Sequence, residues 1–168
     1  MKKLLFLVVL LLGLTACDNE KNVNPDPETE IRELVMNLSN YDVSSVATLL
    51  SQTEGWVEEH SFEYDEEWSN IIGDFKQAEG HATQRYKFHA DGKLEDFTKP
   101  ICPPFDIELP KDRSWAFDPE TRTLIIDGAL SYHLIALGDD TFIWDYVDTW
   151  SSYHPRYFRE VFKVKAVE

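Results

Sequence analysis

From Gly55 to Val164 the chain is a succession of short alternating segments separated by turn residues, and this rhythm most limits what it can fold into. Tyr86, Phe88 and Ala90 share one face of an extended segment, with Arg85, Lys87 and His89 on the other. Asp91-Gly92 follows, a strong hairpin signal because glycine accepts positive φ without strain. Lys93–Thr98 returns. Ser114–Phe117 and Arg122–Ile126 flank Asp118-Pro119-Glu120-Thr121, a type I turn with proline where its fixed φ suits the backbone. Asp127-Gly128 turns again, Leu130, Tyr132 and Leu134 alternate, and Gly138-Asp139-Asp140 turns once more. Phe142, Trp144 and Tyr146 then alternate with Ile143 and Val147, and Phe158, Phe162 and Val164 mark the last segment. With Gly55–Phe62 this makes about eight strands, evenly spaced on short connections, the pattern of an antiparallel meander. A meander that long hides its edges completely only by closing on itself. The expected fold is therefore mainly β, an eight-stranded antiparallel barrel, with an open sandwich as the alternative. Eight strands enclose either a packed interior or one small ligand.

Ahead of the strands, residues 28–52 read as short helical segments. Pro27 suits a first helical position with Asp26 as cap, and Ile31, Leu34, Val35 and Leu38 form one apolar stripe. Ser39-Asn40 breaks it, and Val43–Leu50 offers a second short helix with Val46, Leu49 and Leu50 inward. Helices this short need a surface to pack on. The barrel domain is assigned to residues 53–168. Two stretches interrupt its rhythm, Tyr64–Gly80 and the proline-rich Lys99–Arg113. Trp68, Ile71, Ile72 and Phe75 in the first argue that it folds back onto the barrel.

The N-terminus has a different character. Met1-Lys2-Lys3 precedes an unbroken apolar run, Leu4–Leu12, and then Leu14-Thr15-Ala16-Cys17. The run is shorter than the roughly 20 residues of a membrane span. The segment resembles a bacterial lipoprotein signal with its lipobox. That resemblance implies a signal peptide at residues 1–16, lipidation of Cys17 as the mature N-terminus, and a polar tether over residues 17–27. It places the protein in the bacterial cell envelope, held to a membrane by lipid, the outer membrane being expected. The formal charge of −15 argues the same way: an acidic surface is repelled by anionic lipid, so lipid rather than charge must hold it. Such a surface also disfavours nucleic acid, whose phosphates need Lys and Arg. With Cys17 consumed, Cys102 is left alone in Pro100-Ile101-Cys102-Pro103-Pro104, a structural thiol without a disulfide partner.

The strand pattern is similar to the lipocalin-like domain of small bacterial lipoproteins. The similarity rests on Gly55-Trp56, on Tyr86–Lys93 with its Asp91-Gly92 turn, and on Ser114–Asp118, Arg122–Gly128, Tyr132–Leu137 and Phe158–Phe162. It implies that Trp56 closes one end of the barrel and that Arg159, from the last strand, packs over it. Lipocalins proper carry Gly-x-Trp, whereas here the glycine and tryptophan are adjacent.

Candidate chemistry is sparse. The histidines, His60, His81, His89, His133 and His154, lack zinc spacing, and no metal or other cofactor is expected. Glu58, Glu59, Glu63, Asp65, Glu66 and Glu67 could include a carboxylate pair but read as a solvated acidic face. There is no Gly-x-Ser-x-Gly elbow and no glycine-rich phosphate loop, so an enzyme is not expected. The remaining candidates are aromatic: Trp144, Tyr146, Trp150 and Tyr153, on a strand and at the barrel rim, as a ligand-binding set. The expected function is binding of a small hydrophobic or amphipathic ligand inside the barrel. The competing reading is a filled barrel that meets a protein or glycan through rim aromatics or its acidic face. Nothing in the sequence specifies an oligomeric state.

Overall fold

The computed structural model describes residues 26–75, 83–98, 112–149 and 154–165. Cys17, Cys102, Trp150 and Tyr153, together with the signal and most of the tether, lie outside the described residues.

The strands are β1 (Trp56–Tyr64), β2 (Ile71–Asp74), β3 (Arg85–Phe88), β4 (Lys93–Asp96), β5 (Asp112–Asp118), β6 (Thr123–Ile126), β7 (Leu130–Leu137), β8 (Thr141–Asp148) and β9 (Arg156–Val164). Each pairs antiparallel with its neighbour in the order β2-β1-β3-β4-β5-β6-β7-β8-β9, and β1 also pairs with β9. That last ladder runs from Trp56 opposite Val164 to Tyr64 opposite Tyr157, and it closes eight of the strands into a barrel. The turns are built as their residues dictate. Asp127 and Gly128 both have positive φ, and Ala129 N–H reaches Ile126 carbonyl at 3.2 Å, the geometry that matches the twist of flanking strands.

The expected eight strands omit β2. It is four residues long and pairs with β1 at Phe62–Tyr64, while β3 pairs with the same edge of β1 at Trp56 and Val57. One strand edge is thus shared between two partners. Trp68, on the connection into β2, has φ of 57°, and it lies on the outside of the barrel against Tyr64 and Tyr157.

The helices α1 (Pro27–Leu38) and α2 (Val46–Ser51) take different places. In α1, Asp26 stands at the cap position, but its side chain makes no capping bond; its carbonyl accepts from Thr29 and Glu30 N–H instead. Ile31, with Leu34, Val35 and Leu38, packs on the outer face against Ala136, Ile143 and Val161. In α2, which follows a 3-10 turn at Val43–Ser45, Val46 and Leu50 are fully buried in the barrel's interior cluster. α2 therefore plugs one end. Trp56 sits beneath it and donates its indole N–H to Leu50 carbonyl at 2.9 Å. Tyr41 secures the plug from the chain before it, its hydroxyl donating to Leu134 carbonyl at 2.7 Å.

The middle of the barrel is packed with rings. Trp56, Phe88, Phe142, Trp144 and Phe162 are all essentially buried, and the rings of Phe142 and Phe162 stack 4.5 Å apart. Phe88 meets Trp115 edge to face at 5.2 Å. Interiors so filled leave no room for a long apolar cargo along the barrel axis.

Candidate functional site

Polar side chains occupy the interior at the end opposite α2. The alternation of β9 turns Phe158, Glu160, Phe162 and Val164 inward, and the first pair belongs to this end. Glu160 is 1% exposed. Its carboxylate accepts three hydrogen bonds from neutral donors: Trp144 Nε1 at 2.7 Å, Gln84 Nε2 at 2.8 Å and the Tyr146 hydroxyl at 3.0 Å. Gln84 is held in turn, its backbone N–H donating to Glu58 Oε2 at 2.9 Å and its Oε1 accepting from the Tyr86 hydroxyl at 2.6 Å. Burial, and secondly the nearby Glu58 carboxylate, push the Glu160 carboxyl up to about 8, against the pull of its three donors. The shift favours the protonated acid toward neutral pH. The Trp144 indole can only donate, whereas the Tyr146 hydroxyl can donate to the carboxylate or accept from the acid.

Beside this network lies a cavity of about 240 Å³ lined by Glu58, Ser61, Phe75, Gln84, Arg156, Phe158 and Glu160. That is below the roughly 300–1,000 Å³ of sites for drug-sized ligands. Arg156 brings a charge that is already matched: its Nε and Nη2 make a two-pronged bond to Glu63 at 2.8 and 2.7 Å. Its guanidinium also lies over Phe158 at 4.9 Å and Phe75 at 5.8 Å. The other cation at this end, Arg113, is shared between Asp127 at 2.7 Å and Asp96 at 3.3 Å. Among the described residues the interior here carries Glu58, Asp96 and Glu160 against Arg113 and the Glu63-bound Arg156.

A second hollow lies outside the barrel. Trp68, His133, Ile135, Asp145, Val147 and Arg159 help to line an open groove of about 620 Å³. Arg159 binds Asp145 through two bonds of 2.8 and 2.7 Å and lies over the rings of Tyr64 at 4.7 Å and Trp68 at 5.6 Å. A third, apolar hollow near the plugged end is lined by Val43, Ala47, Trp115, Phe117 and neighbours.

Several expectations change on this geometry. Arg159 does not pack over Trp56. On β9 it lies opposite Phe62, facing outward, whereas Trp56 is opposite Val164 and points in. Arg159 and Val164, the partner of Trp56, are an odd offset apart on β9, so strand alternation puts them on opposite faces. Trp144 is a fully buried core ring, stacked on Tyr132 at 4.2 Å, and it reaches the site only through its N–H to Glu160. Tyr146 also reaches the site through its hydroxyl. Their proposed companions Trp150 and Tyr153 lie outside the described residues. The acids of β1 are not all a solvated face: Glu58 lines the cavity and Glu63 anchors Arg156. A bulge between Glu58 and His60 resets the alternation, so Glu58 and Ser61 both face the cavity. Among the described residues no group of His, Cys, Asp and Glu is arranged to hold a metal.

Glu160 itself was not singled out by sequence reasoning, although a signal existed. Phe158, Phe162 and Val164 define the inward face of the last strand, and Glu160 falls in that series, a charge where the alternation calls for an apolar residue. No protein family, curated protein or solved structure matches this chain.

Proposed function

We propose that this chain is a lipid-anchored protein of the bacterial cell envelope, similar to the lipocalin-like lipoproteins, that binds a small amphipathic ligand and catalyses no reaction. The observation that carries the binding reading is the cavity beside Glu160. It is polar on one side, walled by Phe75 and Phe158 on the other, and set in an otherwise packed barrel. The packed centre narrows the ligand from hydrophobic to small and partly polar. The envelope reading rests on Leu4–Cys17, with lipid on Cys17 as the link to the membrane.

The binding reading is tested by native mass spectrometry of the purified chain after exposure to a detergent-free envelope extract. A discrete added mass, lost on denaturation and absent from a cavity-filling Ser61→Phe variant that still folds, supports it. A clean unliganded mass across several extracts favours the second reading, a filled barrel that works through its outer surface. The open groove under Trp68, with Val147 44% exposed beside it, is the observation that keeps that second reading in play.

A further inference from the structure

Glu160 is a buried acid at a cavity wall whose hydrogen bonds all come from neutral groups. A buried carboxylate without a cation is costly, and the usual remedy is a partner charge or a proton. The cations near it are committed. Arg156 is matched by Glu63, and Arg113 is divided between Asp96 and Asp127. Glu58 shares the cavity wall, adding a second carboxylate to the same space. The rest of the wall is Ser61, Gln84, the Glu63-bound Arg156, Phe75 and Phe158, and the two phenylalanine rings suit a short hydrocarbon body.

We propose that this cavity takes a small organic cation, a primary ammonium on a compact apolar frame, with Glu160 as its counter-charge. This rests on the reading that the cavity holds a small ligand, and it adds the ligand's chemical class. Three of the carboxylate's lone-pair positions are filled by Trp144, Gln84 and Tyr146, which fix its orientation and leave one direction for the ligand. The ammonium takes the place of the proton that burial favours on Glu160. Binding at neutral pH therefore releases a proton, and affinity rises with pH until Glu160 is ionised without help. Among the described residues the charged and titratable groups facing Glu160 are Glu58 on β1, Tyr86 on β3, Tyr132 on β7, Tyr146 on β8 and, across the cavity on its own strand, Arg156, with Asp96 and Arg113 behind them on β4 and β5. Burial raises all three tyrosines, so none of them ionises in the neutral range, and Glu160 is the group that releases the proton.

The test compares benzylamine with benzyl alcohol, nearly the same shape with and without charge, by calorimetry on the purified chain in two buffers of different ionisation enthalpy. The expected result is at least tenfold tighter binding of the amine, with net proton release at pH 7 and a shift of the Trp144 indole N–H resonance on titration. Glu160→Gln, close to isosteric, should cut amine affinity at least tenfold and leave the alcohol unchanged. Should that variant fail to fold, Glu58→Gln should weaken the amine selectively by a smaller factor. Equal or tighter binding of the alcohol overturns the charge class while leaving a small-ligand cavity intact. Binding of neither probe, with no movement of the Trp144 resonance, overturns the inference together with the cavity reading beneath it.

Discussion

Trp144 and Glu160 are register partners across β8 and β9, and the indole N–H of the first donates to the carboxylate of the second at 2.7 Å inside the barrel. A core ring and a polar network are thereby one unit: the tryptophan stacks on Tyr132, meets Phe162 edge to face, and orients the acid with its indole N–H. Trp144→Phe keeps most of the packing and removes one of three donors from a buried acceptor. The expected cost is about 1–3 kcal/mol, read by denaturant unfolding, with Tyr132→Phe as a control that leaves the donor in place.

Glu160 makes stability depend on pH in an unusual direction. Its carboxyl is raised from the ordinary 4.5 to about 8, by burial first and Glu58 second. Between those values the folded protein keeps a proton that the unfolded chain has released, so stability falls as pH rises through that interval. Wild type should lose more of its thermal midpoint between pH 5 and pH 8 than Glu160→Gln does. Parallel melting curves for the two proteins over that range would contradict the assignment.

Arg159 and Asp145 form a well-shielded ion pair on the outer face, with side chains 17% and 12% exposed. Burial raises the Asp145 carboxyl even though Arg159 pulls the other way, so removing the arginine leaves an acid with nothing to offset its lost hydration. Arg159→Met should cost about 3 kcal/mol, the low end of the range for breaking a buried pair. The double variant Arg159→Met, Asp145→Asn should recover much of that loss in chemical denaturation.

The plug gives a packing prediction. Leu50 is completely buried at the α2 end of the interior, and its carbonyl also receives the Trp56 indole. Leu50→Ala keeps that carbonyl and opens a void, costing about 2–5 kcal/mol depending on how far α2 settles into it. Val147→Ala, at an exposed site on β8, should change stability by roughly 0.5 kcal/mol or less and serves as the comparison.

Cys17→Ala should move the protein from the membrane fraction to the soluble fraction, or leave it unprocessed with its leader attached. Fractionation and intact mass distinguish these. Retention in membranes as a processed chain would count against lipid on Cys17.

The barrel was legible because its information is local. Alternation assigns each strand two faces, and Asp91-Gly92 and Asp127-Gly128 announce their turns by backbone need. What escaped was non-local. β2 offers only Ile71-Ile72-Gly73-Asp74, with Ile72 64% exposed, and it becomes a strand because β1 has an unpaired edge beyond β3. The site escaped because it is assembled from β1, the approach to β3, β8 and β9, and because a bulge at Glu59 changes which acids of β1 face in. The misplaced Arg159 follows from the same cause: a role assigned by position along the chain ignored which face alternation gives it.

The direction of α1 has a consequence for how the molecule stands. Leu38, at its C-terminal end, lies against Gly138 beside the plug, and Glu28, in its first turn, is close enough to Tyr64 to act on it electrostatically at the other end of the barrel. The helix therefore lies like a splint down the outer wall, and the chain enters it on the cavity side. With the proposed lipid on Cys17 and a leash of roughly 30 Å at full stretch before Asp26, the cavity end of the barrel is the end nearer the attachment point. The proposed ligand would then enter at the end of the barrel that faces its own tether.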